Sequence, residues 1–330
     1  MADHNHTLQP EGQTMAGLRV YLYDAFTDRP FGGNVAGVVL DASGLGPEAR
    51  QRIAAELNAP TTGFVVGHKA TSPPILVVRY FTPRQEIDLC GHVTVALLTA
   101  LAAEGRCQAQ PEGTPVRLHT LSGELVARLY LGNGGRITVE MEQRLPDFEL
   151  PPVQRRAVEE ILGGATLHPS LPVEIASTGL RHLMVPFASV EGLARLNPDF
   201  RALGQLSRSL PVDTVGAFAL SPQASGQVRL RDFCPGIGAD EESASGTTSG
   251  ALACYLVKHR VVSPDQAGKV RVQVSQGVEM GRPSRIEAWL EVRGEEIRRV
   301  CVRGQAVRAL EGRLVAWPEQ NGKVRSSSEM

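Results

Sequence analysis

The chain has 330 residues, 42% hydrophobic and 21% charged, and Lys+Arg 34 against Asp+Glu 35 leave a net charge of -1. That balance removes any global attraction to nucleic acid or an anionic membrane, points to a small-molecule partner, and the length allows two domains with a core each. Five cysteines, Cys90, Cys107, Cys234, Cys254 and Cys301, are an odd number without CxxC spacing, which argues against a disulfide framework or a zinc knuckle and for free thiols.

In chain order, residues 1–16 read as a disordered leader. Met1 to Gln13 is polar and lacks the apolar core of a signal peptide, and no later apolar run is long enough to span a bilayer, so the expectation is a soluble, cytoplasmic protein. Leu18 to Phe26 is rich in Val, Leu and aromatics and predicts a strand. Thr27 to Asn34 is turn chemistry, and Val35 to Leu40 is a second strand. Pro47 to Leu57 predicts a surface helix from the spacing of Ala49, Ile53, Ala54 and Leu57, with Pro47 suited to its first turn. Strands at Thr62–Val66 and Ile75–Phe81 lead to a polar loop ending in Cys90-Gly91-His92, and then to an unbroken apolar run through Ala102 that belongs inside a domain. A hairpin follows at Val116–Leu121 and Leu125–Leu131, with Arg136–Met141 beside it. The Pro-rich, acidic Leu145–Pro152 marks a domain boundary. Beyond it come a helix at Val153–Leu162, strands at Val173–Ser177 and His182–Phe187, a helix at Phe200–Leu210, and strands at Val215–Leu220 and Val228–Phe233. Strands at Arg271–Ser275, Ile286–Val292 and Ile297–Val307 complete the sheet, and the polar tail after Trp317 reads as disordered.

Two stretches repeat. Arg79-Tyr80-Phe81-Thr82-Pro83, a polar loop and the helix opening at Gly91 match Arg231-Asp232-Phe233-Cys234-Pro235, an acidic loop and a helix opening at Gly246. An internal duplication of this kind implies two similar halves, here 17–144 with 300–317 and 145–299. Each helix start carries partial positive charge and uncovered backbone N–H groups, so a carboxylate ligand suits the space between two such starts.

YDAFTDRPFGGNVAGVVLDA at Tyr23 to Ala42, RYFTPRQEIDLCGHVTVA at Arg79 to Ala96 and PGIGADEESASGTTSGALACYLV at Pro235 to Val257 resemble the signature segments of the PhzF-like family of phenazine-biosynthesis isomerases. The resemblance covers about Leu18 to Val307. It implies an α/β (α+β) diaminopimelate epimerase-like fold, shared with proline racemase, of two pseudo-symmetric halves, each a mixed sheet wrapped round a central helix. It also implies a cleft between the halves, cofactor-independent isomerisation by proton removal and return, and a homodimer. The histidine and the aspartate that assist in the phenazine enzymes fall at His92 and at Glu242. The family's glutamate, in a segment like N-x-S-E-T-x-F-V, falls at Thr61, which cannot act as a base near neutral pH without help.

With that glutamate replaced, Cys90 is the leading candidate base, because a helix N-terminus lowers a thiol's pKa; His92 and Glu242 form its proton relay. Asn34, Gly91, Ser245, Gly246, Thr247 and Thr248 are candidate substrate contacts, Ser245 standing where the racemases carry a second cysteine. Each has a structural alternative: Cys90 packing, His92 capping, Glu242 in a solvated loop, and the hydroxyls capping the second helix. His68, His119, His182 and His259 lack metal spacing, and the glycine pairs lack the setting of a dinucleotide loop, so no metal and no cofactor are expected. The expected activity is isomerisation or epimerisation of a small carboxylate or amino-acid-like metabolite. A lyase or dehydratase on the same scaffold, or a non-catalytic ligand-binding protein, are the alternatives.

Overall fold

Helices without a polar face have to be enclosed, and the two at the centre of this molecule are. In the helix Gly91–Ala103 every residue from His92 to Leu101 is buried, and in Gly246–Lys258 every residue from Thr248 to Leu256 is. The computed structural model describes residues 17–221, 226–318 and 324–326, so the leader at 1–16 lies outside the described residues. Among the described residues, eighteen strands form one hydrogen-bonded sheet that wraps both helices.

The wrapping follows one plan twice. Asn34–Val39 lies parallel to Thr61–Lys69 through the outer helix Pro47–Leu57, Thr61–Lys69 turns back on Ile75–Phe81, and Ile75–Phe81 runs parallel to Thr114–Thr120 across the first central helix. In the second half Arg181–Phe187 lies parallel to Thr214–Leu220 through the outer helix Phe200–Ser209, Thr214–Leu220 turns back on Gln227–Phe233, and Gln227–Phe233 runs parallel to Lys269–Gln276 across the second central helix. Parallel neighbours need a crossover connection, which is why each half spends its helices where it does. Close approach of helix to sheet depends on two glycines at matching places. A Cβ on Gly63 would lie 2.6 Å from Val93 Cγ1, and one on Gly216 would lie 3.1 Å from Thr248 Cγ2.

The largest core cluster holds both central helices and the inner faces of their strands, and smaller clusters lie under the outer helices. Leu97, fully buried at the middle of the first helix, shows what this packing contributes: Leu97→Ala is expected to cost about 2–5 kcal/mol. All five cysteines are free. Among the described residues no helix is long and apolar enough to cross a membrane.

The C-terminal stretch departs from the sequence reading. The single strand expected at Ile297–Val307 is two strands, Glu296–Gly304 and Ala306–Leu314, which part at Gln305. Gln305 accepts a hydrogen bond from the Phe26 N–H at 2.7 Å, and only glycine at 304 leaves room for the Phe26 ring, because a Cβ there would meet Phe26 Cδ1 at 2.2 Å. The second strand pairs with Leu18–Ala25 and is mostly exposed beyond Arg308, so its sequence lacks the alternation that announces a strand. The tail read as disordered holds a strand at Val324–Ser326, paired with Ala316–Pro318; residues 319–323 and 327–330 lie outside the described residues.

Candidate active site

The two central helices begin alike. Their N-cap residues, Cys90 at φ -142, ψ 113 and Ser245 at φ -133, ψ 113, share one extended conformation. Four residues on, a hydroxyl bonds back in each: Thr94 Oγ1 donates to the Cys90 carbonyl and Ser249 Oγ to the Ser245 carbonyl, both at 2.8 Å. The side chains of the caps then diverge. Ser245 Oγ accepts from the Thr248 N–H at 3.3 Å, as a serine cap should, whereas the Cys90 sulfur faces His92 Nδ1 at 3.3 Å. Thr61, at the start of its strand, hydrogen-bonds the same sulfur.

Asn34 joins the halves. It begins the strand Asn34–Val39, is buried, and directs its Nδ2 at His92 Nδ1 (3.4 Å), at the Ala244 carbonyl (3.1 Å) and at Glu242 Oε2 in a short contact. Gln276, also buried, closes the second half's side: its Nε2 donates to the Glu242 carbonyl at 2.7 Å and its Oε1 accepts from the Ser245 N–H at 3.1 Å. The Gly32-Gly33 turn that presents Asn34 is fixed from the second half by Arg282, whose Nε donates to the Gly33 carbonyl at 3.0 Å and whose Nη2 meets Asp24 Oδ1 at 2.6 Å.

Burial decides the protonation states here. Desolvation raises the Glu242 carboxyl to about 7, reinforced by the Asp232 carboxyl and opposed by the Asn34 hydrogen bond. Desolvation lowers His92 to about 4, so its ring is neutral at pH 7. Cys90 corrects an expectation: its thiol is pushed up to about 12, not down. Burial outweighs the hydrogen bonds from the Val93 and His92 backbone and from Thr61, and the Glu242 charge adds to the rise.

The structure thus brings Cys90, His92, Thr61, Asn34 and Glu242 into one hydrogen-bonded set around the first helix start, with Cys90, Gly91, Glu242, Ser245 and Thr247 half-buried amid buried neighbours. Three expected substrate contacts are buried: Asn34, engaged as above, Thr248 and Gly246. Thr248 is fully buried with its hydroxyl engaged by Ser245, Asp232 and His182, and Gly246 is buried with its carbonyl taken by Gln143 Nε2 at 2.9 Å. Sequence reading missed Gln276, Asp232 and His182; the one available signal was Asp232 standing in the repeat where the first half has Tyr80. Among the described residues no group of three or more His, Cys, Asp or Glu is placed to hold a metal ion.

Two matching helix starts thus flank a hydrogen-bonded set whose Glu242 carboxyl is raised by burial to about 7. The chain belongs to the phenazine biosynthesis-like protein family, whose model matches residues 23–312. An uncharacterized isomerase of Deinococcus radiodurans is 40% identical over 300 residues, 89% of this chain and 92% of that protein. The trans-2,3-dihydro-3-hydroxyanthranilate isomerase of Pseudomonas aeruginosa is 33% identical over 296 residues, 89% of this chain and 98% of that protein. The crystal structure of a Bacillus anthracis phenazine biosynthesis protein of the PhzF family superposes with a TM-score of 0.79 at 27% identity, over 91% of this chain and 99% of that one. The family and the two-half fold read from the sequence are therefore those of this protein, and its curated relatives are isomerases.

Proposed function

We propose that this protein is a cofactor-independent isomerase of a small carboxylate, with Glu242 as the base that removes the substrate proton. One observation carries the reading. Glu242 is the half-buried carboxyl that Asn34 joins to the first helix start, and burial raises it to about 7 while keeping His92 neutral and the Cys90 thiol protonated. A base is most effective when its pKa lies near the working pH, since it is then both available and strong enough to act. Asn34 holds the carboxylate by a hydrogen bond that favours its charged form, and its contact with His92 ties the base to the first helix start. The thiol of Cys90, 3.3 Å from His92 Nδ1 and kept protonated by burial, is a neutral wall of the site in place of the base suggested by its position.

The helix starts at Gly91 and Gly246 supply positive potential for the substrate carboxylate and for the negative charge that grows on the adjoining carbon as the proton leaves. The Pseudomonas aeruginosa relative acts on trans-2,3-dihydro-3-hydroxyanthranilate, an amino-substituted carboxylate, which makes that compound and the protein L-amino acids the first probes. Incubated in deuterium oxide and followed by NMR, a probe that fits should be converted or should lose a C–H signal. Glu242→Gln should abolish this and Cys90→Ala should retain it; activity that survives in Glu242→Gln overturns the assignment.

A further inference from the structure

Glu242 removes a proton, and the second half of the duplication holds a candidate for the group that gives one back. In the first half Tyr80 stands opposite Gly63 in its strand pair, and Val93 fills the space above that glycine. In the second half Asp232 stands opposite Gly216, and Thr248 fills the space. A carboxyl and a hydroxyl therefore occupy the places of a tyrosine and a valine, both sealed from solvent. A carboxyl at such a place is costly unless paired. Among the described residues no Lys or Arg forms an ion pair with Asp232, whose Oδ1 has no hydrogen-bond partner; the neighbouring His182 Nε2 has none either.

The connectivity shows where that carboxyl leads. Thr248 Oγ1 donates to Asp232 Oδ2 at 2.7 Å, and Thr248 Oγ1 lies 2.8 Å from Ser245 Oγ. Ser245, half-buried, is the cap of the second helix and the counterpart of Cys90. A line of oxygens thus runs from an enclosed carboxyl to the candidate site. We propose that Ser245, Thr248 and Asp232 form a proton relay that returns a proton to the substrate from the second-helix side, with Ser245 as the group that meets the substrate and Asp232 as the reservoir behind it. This rests on the reading of Glu242 as the base.

The step balances. With Asp232 protonated, its bond to Thr248 is reversed: Ser245 Oγ–H passes its proton to the substrate carbon, Thr248 Oγ1–H passes its own to Ser245, and the Asp232 carboxyl passes its own to Thr248. Three O–H bonds break, one C–H and two O–H bonds form, and the electron pair of the new C–H bond is the one Glu242 left on the carbon. One proton is shared by two carboxyls before and after; the step starts from the minor arrangement with the proton on Asp232, since Glu242 is raised to about 7 and Asp232 to about 6, and ends with it on Glu242, and the reverse reaction uses the same groups with roles exchanged. The groups facing Asp232 suit this sharing. Glu241 and Glu242 lie on the paired strand and Cys234 follows in the chain, while Thr214 and His182, the latter neutral because burial lowers it to about 3, lie across the sheet.

The test measures, with a converted probe in deuterium oxide, the solvent deuterium carried by each product molecule, and it compares wild type with Thr248→Val, Thr248→Ser and Asp232→Asn. Valine keeps the methyl beside Gly216 and removes the hydroxyl. The relay predicts that Thr248→Val and Asp232→Asn lower kcat at least tenfold with KM within about twofold, and that the residual product carries at least threefold less deuterium because Glu242 then returns the proton it took. Thr248→Ser should restore both, and thermal melts should show all three variants folded. An unchanged kcat and deuterium content in Thr248→Val and Asp232→Asn overturns the relay while a dead Glu242→Gln leaves the base in place. A wild type that neither converts nor labels any probe overturns the base assignment and the relay with it.

Discussion

Asn34→Ala isolates the electrostatic part of the proposal. The Asn34 amide donates to the Glu242 carboxylate and to the Ala244 carbonyl, so its removal takes away a hydrogen bond that favours the charged acid. A hydrogen bond to a charged group contributes about 1.5–3 kcal/mol, and at 1.36 kcal/mol per pH unit this raises the carboxyl's titration by about one to two units. From a starting point of about 7, half of the sites are charged at pH 7, and the variant should be only about 1–10% charged there. The rate at pH 7 should fall about 5–50-fold, and raising the pH should recover most of it. The assay is the pH dependence of kcat/KM for a converted probe, which reports the free enzyme's ionisation. An acid limb at the same pH in Asn34→Ala and in the wild type, with the whole profile lowered, would refute the reasoning.

Three further outcomes follow from the same observations. Because burial holds the Cys90 thiol at about 12, alkylation of Cys90 by iodoacetamide should rise about tenfold per pH unit from pH 7 to 10, read by mass spectrometry of the labelled peptide; a plateau near pH 7 would show a helix-activated thiolate instead. Asp232 is raised from 3.8 to about 6, so the folded state binds more protons than the unfolded one between those values, and stability is lost as pH rises through that window; Asp232→Asn should remove roughly 3 kcal/mol of this loss, seen as a flatter dependence of urea midpoint on pH between 4 and 7. Gly63→Ala should destabilise by about 1–3 kcal/mol because the new Cβ meets Val93 Cγ1 at 2.6 Å, whereas Gly44→Ala, with nothing within 4 Å, should leave the melting temperature nearly unchanged. Equal melting temperatures for the two glycine variants would contradict the helix-to-sheet packing described above.

The sequence by itself determined the parts whose physics is local or repeated. Pro47 to Leu57 announced its helix by apolar spacing and a proline at the first turn, and the run after Gly91 announced a buried helix by having no polar face. The match of Arg79-Tyr80-Phe81 with Arg231-Asp232-Phe233 exposed the duplication, and with it two helix starts. Asn34, Cys90, His92 and Glu242 stood out as site candidates because turn, cap and loop chemistry marks them in one dimension. Charge states were decided only in three. Cys90 sits at a helix start that favours thiolate, yet burial, with the Glu242 charge from the other half beside it, raises its thiol and prevails. The same enclosure raised Glu242 to about 7. Asp232, Thr248 and Ser245 became a line of oxygens through a strand register and a helix approach that meet in space; no spacing along the chain encodes their contact, because its distances are set by how the sheet closes on the helix.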